Sequence, residues 1–146
     1  MTAEKRATGL TVVRASERDS QTAQTPGMIR AAGVAASTSG AQNLWMGYVT
    51  LAPGLESGVH HHGTNESGIY IISGNARFRF GDQLEKTADA GPGDFIHVPP
   101  HVIHQEINVS QTEPVEMIVA RDSQEGIVVN VERDPVQDDV GRRMWR

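Results

Sequence analysis

The chain of 146 residues contains no cysteine. This absence excludes a disulfide scaffold, a thiolate nucleophile and a thiolate metal site, and it leaves imidazole and carboxylate groups as the only strong metal ligands. Positive charge is also scarce, because the formal net charge is -5 and no basic stripe is present. Neither nucleic acid nor an anionic membrane surface is therefore an expected partner.

Long hydrophobic runs are missing as well. The N-terminus, from Met1 to Arg6, leads into polar sequence without the apolar segment of a secretory signal, and no run approaches the length that spans a bilayer. We therefore expect a cytoplasmic protein. The chain length fits one domain with an enclosed core.

Short apolar or alternating runs, separated by glycine, proline, asparagine and aspartate, follow one another along the chain, and helical periodicity is largely absent. This pattern predicts an all-β domain of two packed sheets. The predicted strands are Leu10–Arg14, Met28–Ser37, Leu44–Leu51, Gly68–Ser73, Ala76–Phe80, Leu84–Ala88, Asp94–Val98, Val102–Val109, Val115–Arg121 and Ile127–Val131.

The domain organisation that we expect is one domain over residues 1–146. Its core covers about residues 40–131, preceded by N-terminal strands or an arm over residues 1–39. Residues 132–146 form a polar, charged C-terminal tail.

The six histidines fall into two clusters, His60-His61-His62 and His97, His101, His104. Alternate residues of a strand face the same side, so His60 and His62 can point inward as a chelating pair while His61 points away. Taken alone, a histidine triplet in a glycine-rich stretch is more typical of a solvated surface tract than of a metal site. A third imidazole has to come from another strand, and His104, just past the Pro99-Pro100 turn, is the best placed.

The residues around the two clusters have a fixed spacing. The first segment reads Gly54-x5-His60-x-His62-x3-Glu66 and ends at Gly74, and the second reads Gly93-x5-Pro99-x-His101-x2-His104-x3-Asn108. In order and spacing these segments resemble the two sequence motifs of the cupin superfamily. The joint match over many positions favours a metal site over a surface tract.

The resemblance implies a cupin double-stranded β-helix, also called a jelly-roll barrel, with one divalent metal at the base of a pocket. It implies that His60, His62 and His104 are metal ligands and that Glu66 is approximately the family's carboxylate. It further implies turn positions and a closing residue of the second motif, which are Gly54, Gly74, Gly93, Pro99 and Asn108.

Three positions depart from the family pattern. The usual carboxylate position is held by Ser67, and Glu66 precedes it by one residue. Because side chains alternate on a strand, this offset turns Glu66 away from the pocket unless a bulge re-aims it, so Glu66 as a ligand stays open. His97 stands where small cupins often have Tyr or Phe, and it is a fourth ligand, a proton shuttle, a residue that orients a ligand, or an amphipathic core residue. His101 stands at a position that is usually glycine.

The stretch from His60 to Gly74 resembles small bacterial monocupins, a group that includes cupin-type aromatic polyketide cyclases. The leading hypothesis is a metal-dependent cyclase that stabilises an enolate of a small carbonyl-rich substrate, with His97 or Glu66 as catalytic residues that move protons. The alternatives are an iron dioxygenase acting on a diketone or phenol, and a cupin that only binds a small molecule.

The ligand set also limits which metal ions are expected at the site. Imidazole donors suit zinc first, and iron or nickel also fit, while manganese becomes attractive if a carboxylate joins the set. Because cupins of this size commonly pair across a two-fold axis, we expect a homodimer.

Overall fold

The computed structural model describes residues 9–125, 128–131, 136–137 and 143–144. A 3-10 turn, Ala15–Glu17, and a one-turn helix α1, Ala36–Ser39, accompany the strands. The strands are β1 (Met28–Val34), β2 (Trp45–Leu51), β3 (His60–His61), β4 (Ser67–Ser73), β5 (Ala76–Phe80), β6 (Lys86–Ala90), β7 (Phe95–Val98), β8 (His104–Asn108), β9 (Val115–Arg121), β10 (Val129–Asn130), β11 (Val136–Gln137) and β12 (Arg143–Met144).

Two antiparallel sheets of five strands form the domain. The first has the strand order β1-β2-β9-β4-β7 and the second has the order β10-β3-β8-β5-β6. Strands β11 and β12 pair only with each other. The prediction of an all-β domain with two packed sheets is thereby confirmed. Within the described residues, no helix is both long enough and apolar enough to cross a membrane.

Most predicted strands coincide with observed ones to within two residues, but two predictions need correction. Leu10–Arg14 forms no strand, and its apolar residues are largely exposed. The strand predicted to reach Ser37 ends at Val34, because α1 follows and is closed by Gly40 in the left-handed conformation. The last predicted strand begins outside the described residues, and its described part is β10. The expectation for the tail, residues 132–146, lies outside the described residues except for the backbone of β11 and β12.

The first sheet supplies most of the apolar core. Along β2, β4 and β9, buried and more exposed residues alternate, as a strand with one covered face requires. Residues with no exposed surface include Val49, Leu51, Ile71, Val115 and Met117. Full burial of one such side chain contributes roughly 1.5–3 kcal/mol before the cost of ordering the chain. This face therefore fixes the strand register and the first wall of the barrel.

The inner face of the second sheet is polar where the first is apolar. On β8 the alternate residues His104, Glu106 and Asn108 are all buried. Asn108 Nδ2 contacts the carbonyl oxygens of Leu51, Ala52 and Glu113 at 2.8–3.2 Å, so this residue joins the end of β8 to neighbouring segments. Glu106 makes no comparable side-chain contact with the backbone of the described residues, and Nε2 of His104 faces the Glu106 carboxylate rather than a backbone carbonyl. Their polar atoms are thus left for a site inside the barrel.

Two tight turns show why the motif positions matter. Gly74 has φ +85, and a Cβ atom there would lie 2.3 Å from the carbonyl oxygen of Pro114, so glycine is required. His101, at the position where the family usually has glycine, has φ 65 and donates its backbone N–H to the carbonyl of Gly63 over 2.8 Å. The turn before β8 therefore keeps the left-handed backbone even with a side chain present.

Candidate metal centre

Three histidines predicted as metal ligands meet inside the barrel. His60 and His104 are direct cross-strand partners in the β3–β8 ladder, and His62 lies two residues beyond His60. One ligand nitrogen from each residue lies within 4.8 Å of the other two, and all three side chains are buried. The ring centroids are 4.3 Å apart for His60 and His104, and 5.0 and 5.3 Å from these to His62.

Backbone carbonyls orient two of these rings. The Nδ1 atom of His60 lies 2.9 Å from the carbonyl oxygen of Gly58, and Nδ1 of His104 lies 2.9 Å from that of Val102. A carbonyl oxygen only accepts a hydrogen bond, so each Nδ1 carries the proton and donates it. In the neutral ring this leaves the free lone pair on Nε2, the arrangement usual for metal-ligating histidine.

A carboxylate lies beside the two oriented rings. Glu106 is 2% exposed, and its oxygens are 3.1 Å from Nε2 of His104 and 3.8 Å from Nε2 of His60. The sequence reasoning missed this residue, although the alternation on β8 places it on the same face as His104. The centre thus has a carboxylate available, but from the second motif rather than from Glu66.

The carboxylate and the two rings shift one another's pKa. Burial lowers the pKa of His60 to about 4, and the opposing attraction of Glu106 does not outweigh it. Burial also acts to lower the pKa of His104, but Glu106 is closer and its charge and hydrogen bond raise that pKa overall. Burial would raise the pKa of Glu106, yet the two histidines and Arg30 hold it well below its usual range. At neutral pH the neighbourhood therefore keeps His60 neutral and Glu106 ionised.

The polar atoms at this centre fit a metal ion. Nε2 of His60 and Oε1 of Glu106 are buried without a hydrogen-bonding partner among the described residues, and Nε2 of His104 has only the Glu106 carboxylate beside it, at 3.1 Å. Buried polar atoms are normally paired, and each exception calls for a water, an ion or a functional role. Convergent imidazole nitrogens with an adjacent carboxylate match the donors that zinc, iron and manganese take in proteins. His60, His62 and His104 could hold the ion, with Glu106 as a further ligand or counter-charge.

Glu66 and His97 lie apart from this group. Oε1 of Glu66 is 2.6 Å from Nε2 of His97, and their side chains are 53% and 62% exposed. Buried Ser67 faces inward on β4, so Glu66 points outward, as its one-residue offset allows. The structure does not bring Glu66 to the three histidines, and its role as a ligand is not supported by this placement. The catalytic roles predicted for both residues stay predictions.

An apolar cavity of about 520 Å³ opens between the sheets and reaches the histidine group. Its lining includes Phe78, Phe80, Val98 and Val102, together with His104 and His97. On the β5–β8 ladder, Phe80 is the direct partner of His104 and Phe78 that of Glu106. Aromatic side chains therefore lie immediately beside the polar centre, which is the composition expected of a small-molecule site.

Two buried cations complete the interior, and the sequence reasoning had not singled them out. Arg30 on β1 is 3% exposed and donates from Nη1 to the hydroxyl of Thr25 over 2.7 Å. Arg121 on β9 is 2% exposed and stacks on the ring of Trp45 at 3.9 Å. In both strands the arginine occupies the next alternate position after buried apolar residues, so it faces the interior as they do. The alternation of buried positions in the sequence could therefore have identified both arginines.

Comparison with known proteins defines the family. The cupin domain family matches residues 47–121, which is half of the chain and contains all three histidines of the group. The chain belongs to the cupin family, and the predicted double-stranded β-helix is confirmed. No curated protein matches the sequence.

Solved structures share the fold at low identity. The polyketide cyclase RemF from Streptomyces resistomycificus has a TM-score of 0.69 at 18% identity, over 86% of this chain and 88% of that one. A Klebsiella pneumoniae protein with a double-stranded β-helix domain has a TM-score of 0.62 at 18% identity, over 76% and 90%. An oxalate decarboxylase structure from Bacillus subtilis has a TM-score of 0.65 at 21% identity over 76% of this chain, which spans 30% of that enzyme.

Proposed function

We propose that the protein is a metal-dependent enzyme that acts on a small carbonyl-rich aromatic or polyketide-type substrate and closes a ring. The observation that carries this proposal is the apolar cavity of about 520 Å³ that ends on His104 of the three-histidine group. The fold shared with the cyclase RemF over most of both chains supports it. The resident cofactor in this proposal is one divalent transition metal, with zinc first and iron, nickel or manganese as the other candidates.

In the proposed reaction, the aromatic and the polar residues of the site have different roles. Phe78 and Phe80 bind the apolar skeleton of the substrate and exclude water from the region beside His104 and Glu106. A divalent ion held at the centre would supply Lewis acidity toward a carbonyl or enolate oxygen. The closing step joins an enolate carbon to a carbonyl carbon, and dehydration then releases the carbonyl oxygen as water.

Proton transfer in this reaction is assigned to His97 with Glu66. His97 lines the cavity that reaches His104, and its Nε2 lies 2.6 Å from the Glu66 carboxylate. An imidazole hydrogen-bonded to a carboxylate is an arrangement that enzymes use for general acid–base catalysis. Because the pair is largely exposed, protons can also exchange with solvent there.

The test uses purified protein loaded with zinc or iron and a synthetic poly-β-ketone thioester. A cyclase converts it to a product lighter by one water, detected by mass spectrometry, and the rate falls strongly in His62→Ala and in His104→Ala. Matched loss of activity in the exposed control Arg77→Met would contradict a role of the centre. Oxygen uptake by the iron form, with oxygen in the product, would favour the dioxygenase instead. Saturable binding without turnover for any loaded metal would favour the non-catalytic binding protein.

A further inference from the structure

Inside the barrel, the side chains of two neighbouring polar residues have no hydrogen-bonding partner among the described residues. They are Ser67, through its Oγ, and Arg121, through Nε, Nη1 and Nη2. Both side chains are 2% exposed, and the two residues are direct partners in the β4–β9 ladder. A guanidinium group with all three nitrogens buried and unpaired is a costly arrangement for a folded protein. A molecule that accepts hydrogen bonds at this place would remove that cost.

The pair is connected to the cavity by the sheet register. Ser67 is the direct partner of Val98 on β7, and Arg121 is the direct partner of Trp45 on β2. Val98 lines the cavity that ends at His104. Neighbouring strands are about 4.8 Å apart, so Ser67 and Arg121 lie one and two strand spacings from the cavity wall, on the same inner face. Ser67 and Arg121 are not part of the cavity lining, so a ligand has to extend from the cavity along this inner face by about two strand spacings to reach the guanidinium.

The charges of the interior favour an anion. Among the described residues, the buried side chains of fixed charge are Arg30, Arg121 and Glu106. The Glu106 carboxylate lies beside His60 and His104, and its negative charge also attracts Arg30. Burial and the proximity of Arg30 lower the pKa of Arg121 to about 10, and no carboxylate opposes this shift. Within the part of the chain that the structure describes, no carboxylate therefore compensates the positive charge of Arg121.

We propose that Arg121 and Ser67 form an anion-binding subsite that takes a carboxylate of an organic acid whose apolar part fills the cavity. The planar guanidinium offers paired N–H donors to the two oxygens of a carboxylate, and the Ser67 hydroxyl adds a third donor. Trp45, stacked on the guanidinium, holds its plane in place. This inference deepens the proposed function and rests on it for the class of substrate, which becomes an acidic one.

The experiment measures binding of benzoate and of its neutral isostere benzamide to metal-free protein by isothermal titration calorimetry. The wild type should bind benzoate more tightly than benzamide. Arg121→Met should weaken benzoate binding about 10- to 100-fold, the range for loss of charged hydrogen bonds, and leave benzamide unchanged. Arg121→Lys should retain part of the preference, and Ser67→Ala should reduce it less. The control Arg14→Met removes an exposed guanidinium outside the cavity lining and should change the affinity for neither ligand.

A stability measurement separates this role from a structural one. Because Arg121→Met removes an unpaired buried cation, the variant should unfold at the same urea concentration as the wild type or a higher one. Equal affinity for benzoate in wild type and Arg121→Met, or equal affinity for benzoate and benzamide in wild type, would overturn the proposal and indicate that only water occupies the place. If Arg121→Met does not fold, unchanged benzoate binding in both Arg121→Lys and Ser67→Ala overturns it.

The same design separates failure of the subsite from failure of the proposed reaction. Benzoate binding is measured without metal and without turnover, so a preference that depends on Arg121 stands even if no poly-β-ketone is cyclised. Conversely, metal-dependent cyclisation that is unaffected by Arg121→Met would retain the proposed function and remove the acidic group from the substrate.

Discussion

Glu106→Gln is the substitution that probes the interior most sharply, because glutamine keeps the shape of the side chain and removes only its charge. This carboxylate lies 3.1 Å from Nε2 of His104 and 3.8 Å from that of His60, and it attracts buried Arg30. Removing one partner of a buried charge pair costs about 3–5 kcal/mol in the free energy of unfolding. His104 can release its proton in response, so we expect the lower end, about 3 kcal/mol.

Urea denaturation at pH 7 without metal measures this effect. The matched control is Asp89→Asn, which breaks the ion pair with Arg77, whose N–O distance is 2.8 Å and whose side chains are 48% and 65% exposed. That exposed pair should contribute less than about 1 kcal/mol. In a second readout, Glu106→Gln should weaken zinc binding about 10- to 100-fold, as loss of a group beside the ligands does in other sites. The reasoning is refuted if Glu106→Gln costs no more than Asp89→Asn and zinc binds with wild-type affinity.

Three further predictions concern pH, the exposed pair and assembly. As pH falls from 6.5 to about 4, the free energy of unfolding of the metal-free protein should decrease by about 3 kcal/mol, because the unfolded chain protonates His60 at a higher pH than the folded chain does. Urea titrations at each pH should show this decrease in wild type and not in His60→Asn. Glu66→Ala should keep full metal content by elemental analysis while slowing turnover, and loss of the metal would restore Glu66 as a ligand. Light scattering should give about twice 15.8 kDa for a homodimer, with Phe95, 80% exposed on the outer face of the first sheet, in the interface, so that a monomeric mass would contradict the expectation.

Much of this architecture is predictable from the sequence because short-range rules carry it. Alternation on a strand places His60 with His62, and the spacing to Pro99 places His104 on the facing strand. The same rule, applied to the offset between Glu66 and Ser67, anticipates that Glu66 turns outward. The placement of these residues needs only the period of a strand and the position of its turns, whereas the preference for a metal site over a surface tract comes from the resemblance to the cupin motifs.

The missed residues depend on tertiary packing. Glu106, Arg30 and Arg121 are charged, and charged side chains are rarely buried, so composition alone assigns them to the surface. Their interior position can be predicted only once it is known which residues of the strand face inward, as His104 does on β8 and Met117 on β9. The strand predicted at Leu10–Arg14 failed for the opposite reason, because its local pattern has no facing strand to pair with in the described structure.

The central claim is that His60, His62 and His104 bind one divalent metal through imidazole nitrogens. X-ray absorption spectroscopy of protein loaded with one equivalent of zinc tests it most directly. The account predicts a single site with imidazole scattering and Zn–N distances of about 2.0–2.1 Å, and its loss in His62→Ala. A spectrum without imidazole scattering, or one that is unchanged in His62→Ala and in His104→Ala, would contradict the account.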